Sequence, residues 1–116
     1  MNAGPLSDRD VAPLFEALSD ATRRHVVQLL VARPLRAGEL AAAAGTSAPA
    51  MSRHLRVLLR AGIVTDERIA QDARGRLFRL RPQSMVVLQA WLDQLQEHWD
   101  AQLQSFKWHV EGRPAR

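Results

Sequence analysis

Arg53, Arg56 and Arg60 recur at steps of three and four within "TSAPAMSRHLRVLLRAG" (residues 46–62), and arginines so arranged recognise anions. A guanidinium presents a flat fork of donors that matches a phosphate, or the O6 and N7 edge of guanine. In the same stretch Met51, Leu55, Leu58 and Leu59 fall on the other side of a helical wheel. The spacing predicts an amphipathic helix with a purely cationic outer face. Arg53 stands in its first turns, where a base contact is within reach, whereas Arg56 and Arg60 lie further along and suit phosphates or electrostatic steering. Ser47 can cap the helix and donate to a phosphate. Ser52 and His54 flank the cationic face within reach of backbone oxygens, His54 leaning toward the apolar side.

The charge is as local as the motif. Residues 47–81 hold eight arginines against three acids, residues 1–46 five against five, and residues 82–111 one lysine against four acids. A positive block between a neutral and an acidic one points to a polyanionic partner. The chain of 116 residues, 47% of them hydrophobic, has room for one compact domain and not for two ordinary ones. No run approaches the roughly 18 uncharged apolar residues of a membrane span. The start "MNAGPLSDRDVAP" lacks the basic-then-apolar order of a signal peptide, so a cytoplasmic protein is expected. Cysteine is absent, which excludes thiolate metal sites, disulfides and cysteine nucleophiles. No nucleophile–base pair, metal tetrad or phosphate-cradling glycine loop stands out. Neither catalytic residues nor a cofactor is expected.

The elements that must position the arginines follow from periodicity. "DRDVAPLFEAL" (8–18) reads as a short helix capped by Ser7, with Pro13 arguing for a late start. "ATRRHVVQLLVA" opens at Ser19 or Asp20, turns Val26, Leu29 and Leu30 inward, and is ended by Pro34. "RAGELAAAAG" (36–45) makes a third helix closed by Gly45, and a connection of four to five residues leads into the cationic one. β-Formers at Ile63, Val64, Ile69, Leu77, Phe78 and Leu80 surround "DARG" (72–75), which predicts a two-stranded hairpin over 63–81 with Arg74 and Arg76 near its tip. From Ser84 a long helix runs to residue 111. Leu88, Leu92, Leu95, Trp99, Phe106 and Val110 are spaced by threes and fours, with Leu103 filling the one longer step and Trp91 widening the band. One small domain cannot cover such a band, and another copy of the same helix can. Residues 1–6 and 112–116 read as flexible ends of a single domain, 7–111.

Two short helices, a glycine-containing turn, a cationic helix and a basic hairpin form the order of a winged helix-turn-helix. The expected fold is mainly α with a small β-hairpin, a recognition helix at 47–61, a wing at 63–81 and a dimerisation helix at 84–111. "LFEALSDATRRHVVQLL", "GELAAAAGTSAPAMSRHLRVLLRAGIV" and "GRLFRL" resemble, in order and spacing, the ArsR-type winged-helix repressors of bacteria, over about residues 12–81. "WLDQLQEHWDAQLQSFKWHVE" is similar to the extended last helix of small autorepressors in that family.

The resemblance implies a homodimeric repressor of double-stranded DNA, joined through its first and last helices. Leu14, Phe15, Leu92, Leu95, Trp99, Leu103 and Phe106 are its expected interface. Arg36 and Gly38 stand where metal-sensing members carry two cysteines, so that sensor site is absent. His98 and His109 have the separation of a zinc-binding histidine pair in other members, but Gln96 and Gly112 occupy the places of the other two ligands. No metal site is expected. Ala48 replaces the glutamine that many relatives place after the helix-starting serine, which leaves Ser47, Ala50, Arg53 and His54 to carry more of the base readout. Two alternatives remain open at this point. One is a dimeric interaction protein without specific DNA binding, and the other is a repressor answering to metal through its histidines. No inducer is named by the sequence.

Overall fold

A computed structural model of the chain describes residues 6–69 and 75–112. Its elements run α1 (Asp8–Ala17), α2 (Ala21–Ala32), β1 (Leu35–Arg36), α3 (Ala37–Ala44), α4 (Ala48–Arg60), β2 (Val64–Arg68), β3 (Arg76–Leu80) and α5 (Pro82–Val110). The architecture is a mostly helical winged helix-turn-helix with a small antiparallel sheet and a long C-terminal helix.

Local chemistry sets most boundaries. Ser7 caps α1, and its backbone N–H donates to Asp10 Oδ2 at 2.7 Å. Pro13 is carried inside α1, so the late start expected from it does not occur. α3 ends on Gly45 with φ 67°, a left-handed conformation that favours glycine, and Thr46 N–H donates back to Ala41 O. The turn into α4 is thereby only residues 45–47, shorter than expected. Ser47 Oγ accepts from Ala50 N–H at 3.2 Å, Pro49 sits in the first turn, and Gly62 with φ 77° releases the chain into β2. α5 starts two residues before Ser84 because Pro82 occupies its first turn, where a missing N–H costs nothing.

The sheet has three strands, in the order β1-β3-β2, rather than the two of a hairpin. β1 is two residues long and pairs Leu35 with Phe78 and Arg36 with Leu77, which bolts the start of α3 to the wing. β2 and β3 run antiparallel from Val64↔Leu80 to Arg68↔Arg76. The turn placed at 72–75 lies outside the described residues save for Gly75, whose carbonyl accepts from Ile69 N–H.

One core joins these pieces. Val26, Leu40, Met51, Leu58 and Ile63 are fully buried, with Leu30, Leu35, Leu55, Val64 and Phe78 around them. The start of α5 closes it with Met85, Val87 and Leu88. Leu14, expected at an interface between copies, is 5% exposed and belongs to this core instead, because it shares a face of α1 with Ala17, another member of the core. Phe15 stays on the outside at 42% exposure and meets Trp91 edge-on, with ring centroids 5.2 Å apart. Leu6 is tied down rather than loose: its N–H donates to Gln94 Oε1 at 2.9 Å and its carbonyl accepts from Gln94 Nε2.

Beyond Gln94 the molecule changes character. From Leu95 to Gly112 every residue except Trp108 is exposed, and the molecule reaches 68 Å along its longest axis. Leu92, Leu95, Trp99, Leu103, Phe106 and Val110 form a stripe at 37–65% exposure. No helix among the described residues is long and apolar enough to cross a membrane.

Candidate nucleic-acid interface

α4 is held on its inner face by Met51, Leu55 and Leu58, and that seating decides where every other side chain goes. Arg53, Arg56 and Arg60 come out on the open side, all exposed and without an ion-pair partner among the described residues. The N-terminus of α4 is open as well, since Ser47, Ala48 and Pro49 are exposed. Its first N–H groups add partial positive charge to that of Arg53.

The two flanks of α4 differ. On the wing side Ser52, Leu55, Arg56 and Leu59 line a cleft of about 430 Å³, closed by Ala37 and Gly38 of α3 and by Arg76 and Phe78 of β3. Arg56 and Arg76 thus face one groove, which suits a phosphodiester between recognition helix and wing. Ser52 and Arg56 are both exposed on α4 at the mouth of that cleft.

Arg76 is less free than expected. It donates to Asp66 Oδ2 through Nε at 2.7 Å and through a terminal nitrogen, and its guanidinium carbon lies 5.6 Å from the Phe78 ring centroid. Arg79 is likewise paired with Glu67 Oε1 at 2.6 Å. These diagonal pairs across β2 and β3 hold the wing cations in place and offset part of their charge. Their signal in the sequence was the alternation of Asp66 and Glu67 against Arg76 and Arg79, legible only once the strand register was known. Arg68 and Arg79 are exposed wing cations that the sequence reading did not single out. Arg74 lies outside the described residues.

On the opposite flank His54 departs from expectation. Its Nδ1 lies 3.3 Å from Arg23 Nη1 and 3.8 Å from Asp20 Oδ2, so this ring edge faces α2 rather than a ligand. Asp20 caps α2, accepting from Arg23 N–H at 3.1 Å. Its carboxyl is held below the usual carboxylate range, first by that N–H and less by the charge of Arg23, against an opposing pull from desolvation. Ala50, half-buried, lies on the same flank of the helical wheel as His54.

His98 and His109 are both exposed on α5, eleven residues apart. At about 1.5 Å of rise per residue, a single copy of α5 cannot bring both to the same ion. Among the described residues there is no cluster of three or more histidines and acids that could hold a metal.

A cationic helix opened at its N-terminus, supported by a helix-turn-helix pair and flanked by a β-wing, defines the winged helix-turn-helix regulators as a class. A sequence profile of a helix-turn-helix domain matches residues 18–67. The chain is 39% identical over 79 residues to the HTH-type transcriptional regulator Rv2034 of Mycobacterium tuberculosis, covering 68% of this chain and 71% of that protein. It is 38% identical over 58 residues to the transcriptional repressor SdpR of Bacillus subtilis, 50% of this chain and 64% of that one. An ArsR-like transcriptional regulator from Rhodococcus sp. RHA1 superposes with a TM-score of 0.73 at 26% identity, covering 85% of this chain and 91% of that structure. The chain belongs to the ArsR family of transcriptional regulators, a non-enzymatic class.

Proposed function

We propose that this regulator acts in the cytoplasm as a homodimeric, sequence-specific repressor, one domain per chain (7–111), that occupies double-stranded operator DNA without a metal cofactor. The observation that carries the DNA reading is the outer face of α4, where Arg53, Arg56 and Arg60 are all exposed around an open helix N-terminus. In this reading the first turns of α4 enter the major groove, where each base pair shows a distinct donor and acceptor pattern. Arg53 reads a guanine, with Ser47 and Ala50 beside it. Arg56, Arg60, Ser52 and the cleft-facing Arg76 hold phosphates, and Arg74, outside the described residues, is assigned by its sequence position to the backbone or minor groove.

Homodimerisation rests on the stripe of α5. Leu92, Leu95, Trp99, Leu103 and Phe106 have no cover in one chain, and Phe15 with Trp91 extends the apolar surface toward α1. A second α5 supplies the matching surface, and two-fold symmetry then presents two recognition helices to successive major grooves. Repression follows from occupancy of a promoter, and the Bacillus relative is named a transcriptional repressor.

The test is selection of duplexes from a random-sequence pool with the purified protein, followed by footprinting on the DNA upstream of its own gene. A recovered pseudo-palindrome with half-sites about one helical turn apart is expected, and a footprint over that upstream DNA would show autoregulation. A protein that binds all duplexes alike at every salt concentration would leave only the dimer scaffold of this reading.

A further inference from the structure

Arg23 touches three helices at once. Its Nε donates to Ala17 O at 2.6 Å and its Nη2 to Glu16 O at 3.4 Å, so the guanidinium caps the C-terminal carbonyls of α1. Its backbone N–H is taken by Asp20, at the start of α2. Its remaining terminal nitrogen, Nη1, crosses to His54 Nδ1 on α4, a contact between residues 31 apart in the chain. His54 is the residue after Arg53, so whatever fixes the histidine also fixes the backbone that presents the expected base-reading arginine.

We propose that Asp20, Arg23 and His54 form a clamp that positions the recognition helix, with His54 acting as the neutral acceptor and as a positioning residue rather than a DNA contact. The inference rests on the operator-binding reading above and adds to it a control on discrimination. The Arg23 guanidinium is restrained from following a displaced α4, because α1 already holds it at two other points. Asp20 keeps the cluster's charge balanced, its Oδ2 lying 3.8 Å from the ring.

The neutral state of the ring is what makes the clamp. Nδ1 accepts from Arg23 only through its lone pair, which leaves the ring proton on Nε2. Protonation removes that acceptor and sets two cations against each other, with Asp20 as the anion at hand. Arg53, Arg56 and Arg60 of α4 itself stay exposed, and the other acids near α4 are engaged elsewhere: Glu39 Oε1 accepts from Arg36 N–H, Asp66 holds Arg76, and Glu67 holds Arg79. Glu16 of α1 meets the cluster through its carbonyl.

The test uses the full chain, a duplex recovered by selection with the wild-type protein, and a scrambled duplex of the same length and composition. Both are titrated at one ionic strength, at about pH 8 and about pH 5.5, and nitrogen NMR of the imidazole rings is recorded on the free protein. The ratio of the two affinities is the readout, because added ring charge strengthens binding to both duplexes alike. The wild-type ratio is expected to fall about three- to tenfold in acid, the effect of one lost hydrogen bond. His54→Asn, whose amide oxygen accepts near the place of Nδ1 and does not titrate, should keep the wild-type ratio at high pH and lose its pH response. His54→Leu should lower the ratio at both pH values, and the free wild-type ring should carry its proton on Nε2 at high pH. A proton on Nδ1 there, or a pH response retained in His54→Asn, overturns the clamp, and the second criterion decides even if His54→Leu fails to fold. A wild type that discriminates while His54→Leu matches it sinks the clamp alone, whereas a wild type with no discrimination sinks the operator-binding reading together with it.

Discussion

The part of the chain up to Gln94 and the distal half of α5 use the same kind of sequence pattern and end in opposite states. α1 through the start of α5 bury their apolar positions against one another, so Leu58 and Ile63 are sealed while Arg53, Arg56 and Arg60 face out. From Leu95 onward the apolar positions recur just as regularly and remain uncovered. The difference teaches that the first part closes a core within one chain, whereas the distal helix leaves its apolar stripe uncovered there. Periodicity says that a helix has an apolar face, and only the space around it says whether the same chain can cover that face.

The largest effect is expected from breaking the second region alone. Leu95→Asp combined with Trp99→Asp should convert dimers to monomers, since burial of such side chains contributes about 1.5–3 kcal/mol each. The helical signal of the winged part should persist and operator affinity should collapse. Light scattering decides it, because dimers surviving both substitutions would place the interface elsewhere. Leu58→Ala attacks the first region instead, and should cost about 2–5 kcal/mol of folding stability in a chemical unfolding titration. Protein that remains folded should still dimerise, which separates the two regions by a second route.

Arg53→Ala leaves both regions folded and tests what the first one presents. It should weaken operator binding by about 1–3 kcal/mol and relax preference at one base pair. Retention of full preference would move base readout to another residue of α4. Arg56→Ala and Arg76→Ala are expected to be milder and nearly sequence-blind. Loss of Arg56 should reduce the log–log salt slope by about one unit per subunit. Loss of Arg76 should reduce it by less, because Asp66 already offsets part of that charge. Equal slopes for the two variants would mean that DNA displaces Asp66 from Arg76. The smallest effect is none at all: chelator or added zinc should leave operator affinity unchanged. A zinc-induced loss of binding that vanishes in His98→Ala would restore the histidine-based alternative.

Several features could be read directly from neighbouring residues. The caps at Ser7, Asp20 and Ser47, the stops at Gly45 and Gly62, and the arginine face of α4 depend on interactions within a few positions of one another, and such interactions are written locally. The long stripe of α5 was legible for the same reason. What escaped lay across elements. β1 is two residues long, too short to carry a period-two pattern, and exists because Leu35 meets Phe78. Leu14 and Phe15 are adjacent and both apolar, yet one is sealed in the core and the other stands beside Trp91. Arg76 reads as a free cation until the register places Asp66 diagonally opposite.

By itself the sequence determined the helices, their polarity and the cationic face, because a period of 3.6 and a cap are properties of a single segment. The partners of Arg76, the third strand, and the turning of His54 away from the open face toward Arg23 and Asp20 were decided only in the tertiary structure. Those depend on the angle at which α4 crosses α2 and on the register of β2 against β3. Both emerge from the packing of side chains far apart in the chain, and no window of the sequence contains them.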